Sequence, residues 1–83
     1  MVLVKENSPV ALYYQLKSIL AQKIMNNEWQ VGDRLPSEFE LCKEYGVSRI
    51  TVRQALAELE KDGLVKRRQG VGTFVTLPKI EQQ

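Results

Sequence analysis

Ser48-Arg49-Ile50-Thr51-Val52-Arg53-Gln54-Ala55-Leu56 reads as the opening of a helix, and its polar side chains set the rest of the chain in order. Ser48 is a good N-cap, because its hydroxyl can accept from a backbone N–H that has no intrahelical carbonyl to bond. Val47 and Val52 take the N′ and N4 positions of a hydrophobic staple. Gly63, after Lys61-Asp62, can adopt the left-handed conformation that ends a helix. At about 100° per residue, Val52, Ala55, Leu56 and Leu59 fall on one arc that should face a core. Arg49, Ile50, Thr51, Arg53 and Gln54 fan out elsewhere around the first turns. Two guanidiniums, an amide and a hydroxyl thus project where four backbone N–H groups are also free. Arg can pair bidentately with guanine and Gln with adenine, while Thr reaches either base edges or phosphates. The competing reading is an ordinary solvated helix face.

On the N-terminal side, Ser37-Glu38-Phe39-Glu40 is a capping box, with Glu40 placed to reach back to the N–H of Ser37. Glu38 and Glu40 also complement the helix dipole. Leu41, Cys42 and Tyr45 form a narrow apolar arc, on which Cys42 reads as a small core residue rather than a nucleophile. Gly46 ends this short helix. A short helix, the turn Gly46-Val47-Ser48 and a longer helix with polar residues at its start make the helix-turn-helix layout, whose second helix enters the major groove. Many helix pairs joined by a glycine turn share that outline, so it does not decide the matter alone.

On the C-terminal side, Leu64-Val65-Lys66-Arg67-Arg68-Gln69 and Thr73-Phe74-Val75-Thr76-Leu77 are β-rich runs joined by Gly70-Val71-Gly72. They predict a hairpin with a tip of little side-chain bulk and basic residues leading into it. A lone hairpin is barely stable in water, so Leu64, Phe74 and Val75 are expected to lean on the helices. Three helices plus such a hairpin is a winged helix-turn-helix, an α+β fold. Its wing would set Gly70 and Gly72 at the minor groove beside Lys66 and Arg68, where small backbone and positive charge are favoured. A hairpin that merely covers the core is the alternative.

The remaining segments supply the frame. Residues 1–7 are expected to be an arm with little fixed structure. Ser8-Pro9 predicts a helix start, and Leu12, Leu16, Ile19, Leu20 and Ile24 share one face of that helix before Asn26-Asn27 closes it. Tyr13 and Tyr14 lie beside the stripe, as core edge or as phosphate contacts. In the connector from Glu28 to Pro36, Trp29 and Val31 are expected to plug the core, Gly32-Asp33 to turn, and Arg34-Leu35 to form a very short strand.

The 83 residues suit one small domain, which buries only about 60–65% of its unfolded surface. A net charge of +2 is weak evidence for an anionic partner, but its distribution is informative. Between Ser48 and Gly72 six basic residues face three acidic ones, and the acids gather at the helix end, leaving the helix start and Lys66-Arg67-Arg68 cationic. One cysteine rules out an internal disulfide framework and suits a reducing compartment. No apolar run approaches the ~18 residues of a membrane span, and Met1-Val2-Leu3-Val4 is too short for a signal-peptide core; a cytoplasmic protein is expected. There is no histidine, no serine with a readable general base and no Cys/His set for zinc, so no catalytic residue, metal or cofactor is expected.

Leu35-Pro36-Ser37-Glu38, Tyr45 through Leu56, Asp62-Gly63-Leu64 and Gly70-Val71-Gly72-Thr73-Phe74-Val75 together resemble the GntR family of bacterial transcription regulators, and the chain's two ends look most like its HutC-type branch. The resemblance implies that Arg49 reads a guanine in the major groove. It implies that Ser48, Thr51, Arg53 and Gln54 contact phosphates or nearby bases, and that Ser37 holds phosphate at the preceding helix start. Gly70 would enter the minor groove with Thr73 on the backbone behind it. Relatives often carry Arg after Leu-Pro-Ser-Glu; here Phe39 stands there, either tucked over the core edge or touching a thymine methyl or sugar.

The same resemblance implies a winged helix-turn-helix domain over 8–77 and, over 78–83, the start of a linker to an effector-binding, dimerising domain that this chain lacks. The expected partner is a palindromic double-stranded DNA operator bound by two heads, in service of transcription regulation as a repressor. A small-molecule effector is expected only in the missing domain, a homodimer only in the intact protein, and the isolated domain should be monomeric. The second reading is a winged helix serving protein interaction or RNA binding without operator specificity, which predicts an uncharged or apolar recognition face.

Overall fold

Among the described residues each helix closes on a left-handed residue, and those closures determine how the elements meet. The computed structural model describes residues 11–76, so the expected arm, the Ser8-Pro9 start and the linker lie outside the described residues. Helices α1 (Leu12–Met25), α2 (Glu38–Tyr45) and α3 (Arg49–Lys61) precede strands β1 (Val65–Arg68) and β2 (Gly72–Val75). The winged helix-turn-helix expectation holds.

Helix α1 begins three residues beyond Pro9, with Ala11 in the cap position and no side-chain cap hydrogen bond. At its far end Asn27 has φ 63°, and the N–H groups of Asn27 and Glu28 donate to the carbonyls of Ile24 (3.0 Å) and Lys23 (2.9 Å). That is the double closure of a Schellman motif. The end of α3 repeats it. Gly63 N–H donates to Glu60 O and Leu64 N–H to Leu59 O, at 3.0 and 2.9 Å. The capping box of α2 is formed in both directions: Ser37 Oγ accepts from Glu40 N–H (3.0 Å) while Glu40 Oε1 accepts from Ser37 N–H (2.8 Å). Gly46, at φ 65°, ends α2 and turns the chain into α3.

The core is built from the arcs that periodicity selects. Leu16, Leu20 and Ile24 of α1, Leu41 and Tyr45 of α2, and Val52, Ala55, Leu56 and Leu59 of α3 are buried with Leu35, Leu64, Val65 and Val75. Leu12, Tyr13, Ile19, Trp29, Cys42 and Val47 pack around its edge. Burial pushes the Tyr45 phenol above its usual range, with the Glu44 carboxylate adding to the effect. Outside the core, Lys17 on α1 bridges to Asp62 at 3.0 Å, and that hydrogen bond holds its ammonium above the ordinary lysine range.

Three expectations are corrected. Val31 does not plug the core and is 64% exposed. The turn at Gln30–Asp33, closed by Asp33 N–H on Gln30 O (2.9 Å) and Gln30 N–H on Asp33 Oδ2 (2.8 Å), lifts it to a loop tip. The first strand does not include Leu64, because its N–H is spent closing α3. Gly72 belongs to β2 rather than to the tip. The register pairs Val65 with Val75, Lys66 with Phe74, Arg67 with Thr73 and Arg68 with Gly72. The loop is therefore Gln69-Gly70-Val71, closed by Val71 N–H on Arg68 O (2.9 Å) with Gly70 at φ 78°.

The wing is braced from two sides. Arg34 forms an isolated bridge with Phe74, which supplies the expected very short strand at Arg34-Leu35. Leu35 N–H donates to Thr73 O and Val75 N–H to Asp33 O, at 2.8 and 2.9 Å. At the other side Thr76 bonds the α3 terminus, its N–H donating to Leu64 O (2.9 Å) and its hydroxyl to Gly63 O (3.0 Å). Both ends of the hairpin base are thereby fixed to the helical layer.

Candidate nucleic-acid interface

Because α2 and the wing flank the start of α3, the three elements enclose an open groove of about 1090 Å³. Five arginines (Arg34, Arg49, Arg53, Arg67, Arg68) line it against two glutamates (Glu38, Glu60). The chain's net charge of only +2 is thus concentrated on one face. A groove of this charge attracts a polyanion and does not match the uncharged or apolar face that a protein-interaction module predicts.

Ser48 caps α3 as the sequence indicates: its Oγ accepts from Thr51 N–H at 3.2 Å and donates to Thr51 Oγ1 at 3.0 Å. That cap fixes where the helix starts, and so which side chains occupy its first turn. Arg49, Ile50, Arg53 and Gln54 are all exposed there and line the groove. Ile50 is 76% exposed, a large apolar side chain with no core to fill.

The two guanidiniums of this turn share one carboxylate oxygen. Arg53 Nε donates to Glu38 Oε1 at 3.1 Å, and Arg49 Nε lies 3.8 Å from the same atom. Glu38 opens α2, so the pair links the first turns of both helices. From sequence alone Glu38 has only a dipole role; the missing signal is tertiary, since nothing local places it beside α3. On the wing side, Glu60 Oε1 and Oε2 accept from Nε and N–H of Arg67 at 3.3 and 3.4 Å.

Phe39 is 64% exposed and stands at the groove with Lys43 Nζ 5.4 Å from its ring centroid. It does not tuck over the core edge. Ser37 lines the groove half-exposed. Arg68, Gly70 and Gly72 line it from the wing.

Three of the candidate residues sit outside the groove, or nearly so. Ser48 and Thr51 are engaged with each other at the helix cap, and Lys66 is exposed on β1 without lining the groove. Thr73 does line it but is only 9% exposed, so little of its side chain is available to a ligand. Arg34, Gln69 and Val71 line the groove without having been singled out from sequence. Among the described residues no group of three or more His, Cys, Asp or Glu could hold a metal, and no helix is long and apolar enough to cross a membrane.

The family model of bacterial regulatory proteins, gntR family, matches residues 12–75. This chain belongs to the gntR family. Leu12 through Val75 of its described fold therefore fall within the matched region, groove included.

Among gntR-family relatives, the chain is 47% identical over 79 residues to the HTH-type transcriptional repressor NagR of Bacillus subtilis, covering 95% of this chain and 32% of that protein. It is 51% identical over 71 residues to the histidine utilization repressor of Pseudomonas putida, covering 86% and 29%. These names support the HutC-type branch. The chain spans about a third of the length of these curated relatives. Its fold superposes on AraR(DBD) solved in complex with operator ORE1 with a TM-score of 0.81 at 32% identity, covering 92% of this chain and 93% of that one. The gntR-family chain is a winged helix-turn-helix, the fold it shares with a DNA-binding domain solved on its operator.

Proposed function

We propose that this domain reads a palindromic duplex operator as one of two heads of a repressor, with α3 in the major groove and the Gln69-Gly70-Val71 tip in the adjacent minor groove. One observation carries the reading: Arg49, Arg53, Gln54 and the glycine tip face a single cationic groove. Arg49, the first residue of α3 and biased in direction by Glu38, takes the guanine. Arg53 and Gln54 reach phosphate or a neighbouring base. Ser37, Ser48 and Thr51 serve the phosphates flanking the two helix starts, Lys66 and Arg68 those beside the wing, and Thr73 supports the tip. Gly70 gives the tip its backbone conformation and its lack of bulk.

Phe39 and Ile50 supply apolar surface beside the guanidiniums, which suits the C5-methyl of thymine. Replacing thymine by deoxyuracil at the position Phe39 covers should weaken binding by wild type and leave Phe39→Ala unaffected.

The domain extends over 8–77, with 78–83 leading toward an effector-binding and dimerising part that a metabolite acts on. It works as a non-enzymatic cytoplasmic regulator. Two heads in successive major grooves lie about 34–36 Å apart when one helical turn separates the half-sites. Selection of bound duplexes from a random pool tests this directly. Inverted repeats with a shared guanine in each half-site are expected, and a pool that enriches no common motif would overturn the reading.

A further inference from the structure

Arg34 lies at the foot of the wing. Its backbone is held in the sheet by the bridge to Phe74 and by the flanking bonds of Leu35 to Thr73 and of Val75 to Asp33. Its side chain is laid against the wing: a Cβ added at Gly72 would stand 2.8 Å from Arg34 Nε, 3.3 Å from Cδ and 3.4 Å from Cγ. Arg34 is exposed and lines the groove. Among the described residues it has no carboxylate partner, whereas Arg49 and Arg53 share Glu38 and Arg67 holds Glu60.

The two wing glycines differ in what they do. At Gly70 a Cβ would meet nothing within 4 Å, so glycine is favoured there by its φ of 78° alone. At Gly72 φ is 144° and the added atom would also strike the Arg34 side chain. The absent side chain at 72 is therefore the space that Arg34 occupies.

A guanidinium is a planar fork suited to phosphate oxygens. This one is fixed at its root, positioned along its stem and unspent at its tip. It stands on the wing side of the groove rather than on α3, where it would meet the sugar–phosphate strand between the two grooves instead of base edges. We propose that Arg34 is a DNA-backbone contact seated under the wing, in the space that glycine at 72 leaves open. The proposal rests on the operator reading above.

The test uses the whole chain, a duplex selected from a random pool by the wild type, and a scrambled duplex of equal length and composition, each titrated over a salt series. Arg34→Ala is expected to weaken both duplexes by a similar factor and to lower the slope of log K against log salt by about one. Arg34→Lys should keep the slope, since the charge remains. Gly72→Ala should weaken binding in the wild type and cost less in the Arg34→Ala background, because the atom it displaces is gone. Unchanged affinity and slope for Arg34→Ala, or a loss confined to the selected duplex, would overturn the assignment. A wild type that does not distinguish the two duplexes would overturn the operator reading separately, while the Arg34 slope is still measured on the scrambled one.

Discussion

At the start of α3, Arg53 and Arg49 lie 3.1 and 3.8 Å from one oxygen of Glu38; on the wing, Lys66 and Arg68 are exposed and have no carboxylate partner among the described residues. On the proposed function the difference corresponds to two tasks. A guanidinium held by a carboxylate has its plane and reach set in advance, which is what reading a base edge demands. An unpaired cation on a strand keeps its freedom and can follow whatever phosphate is near. The pairs on Glu38 are partly exposed and worth only about 0.2–1 kcal/mol each, weak enough for DNA to displace the carboxylate and strong enough to bias where the arginines point.

The largest effect should come from the reading side. Arg49→Ala is expected to cost about 1–3 kcal/mol of operator affinity and to relax selectivity at one base pair, with a smaller loss on random duplex. Equal losses on the two duplexes would remove the base-reading role. Next in size, Ser48→Ala should lower the domain's unfolding free energy by about 0.5–2 kcal/mol, measured by urea denaturation without DNA, because Thr51 N–H loses its cap. An unchanged midpoint would show that the cap does not set the helix start.

Lys66→Ala, on the gripping side, should weaken all sequences alike and lower the salt slope by about one unit. A sequence-dependent loss there would erase the contrast between the two sides. The smallest change is expected for Glu38→Gln: operator binding falls by no more than about 1 kcal/mol, while random duplex binds as well or better because a carboxylate has left the groove. If operator and random affinities both rose together, Glu38 would be only a repelling charge.

How much of this was legible beforehand follows the range of the interactions involved. The α3 cap, its buried arc and the glycine that ends it depend on residues within a turn or two of one another, and the sequence displays them directly. The capping box of α2 and the hairpin's existence are local in the same sense. Glu38 shows the limit: its place in the first turn of α2 offers a sufficient local role toward the helix dipole, and its second role appears only when α2 and α3 meet. The sequence places Arg34 in a short strand and offers it no function, because the groove it lines and the glycine it passes under are assembled from the far end of the chain. Val31 departs from expectation because an apolar residue beside Trp29 looks like core until the Gln30–Asp33 turn is closed. The helical angle of Phe39 is compatible with either burial or exposure, and only the packed structure separates the two.

The central claim, that α3 reads base edges while the wing holds the neighbouring minor groove, is tested most directly by dimethyl sulfate footprinting on a selected duplex. That reagent methylates guanine N7 in the major groove and adenine N3 in the minor groove. The wild type should protect one guanine per half-site together with flanking adenines, and Arg49→Ala should free the guanine while the adenines stay protected. A complex that shields no guanine, or a variant that loses both protections at equal occupancy, would contradict it.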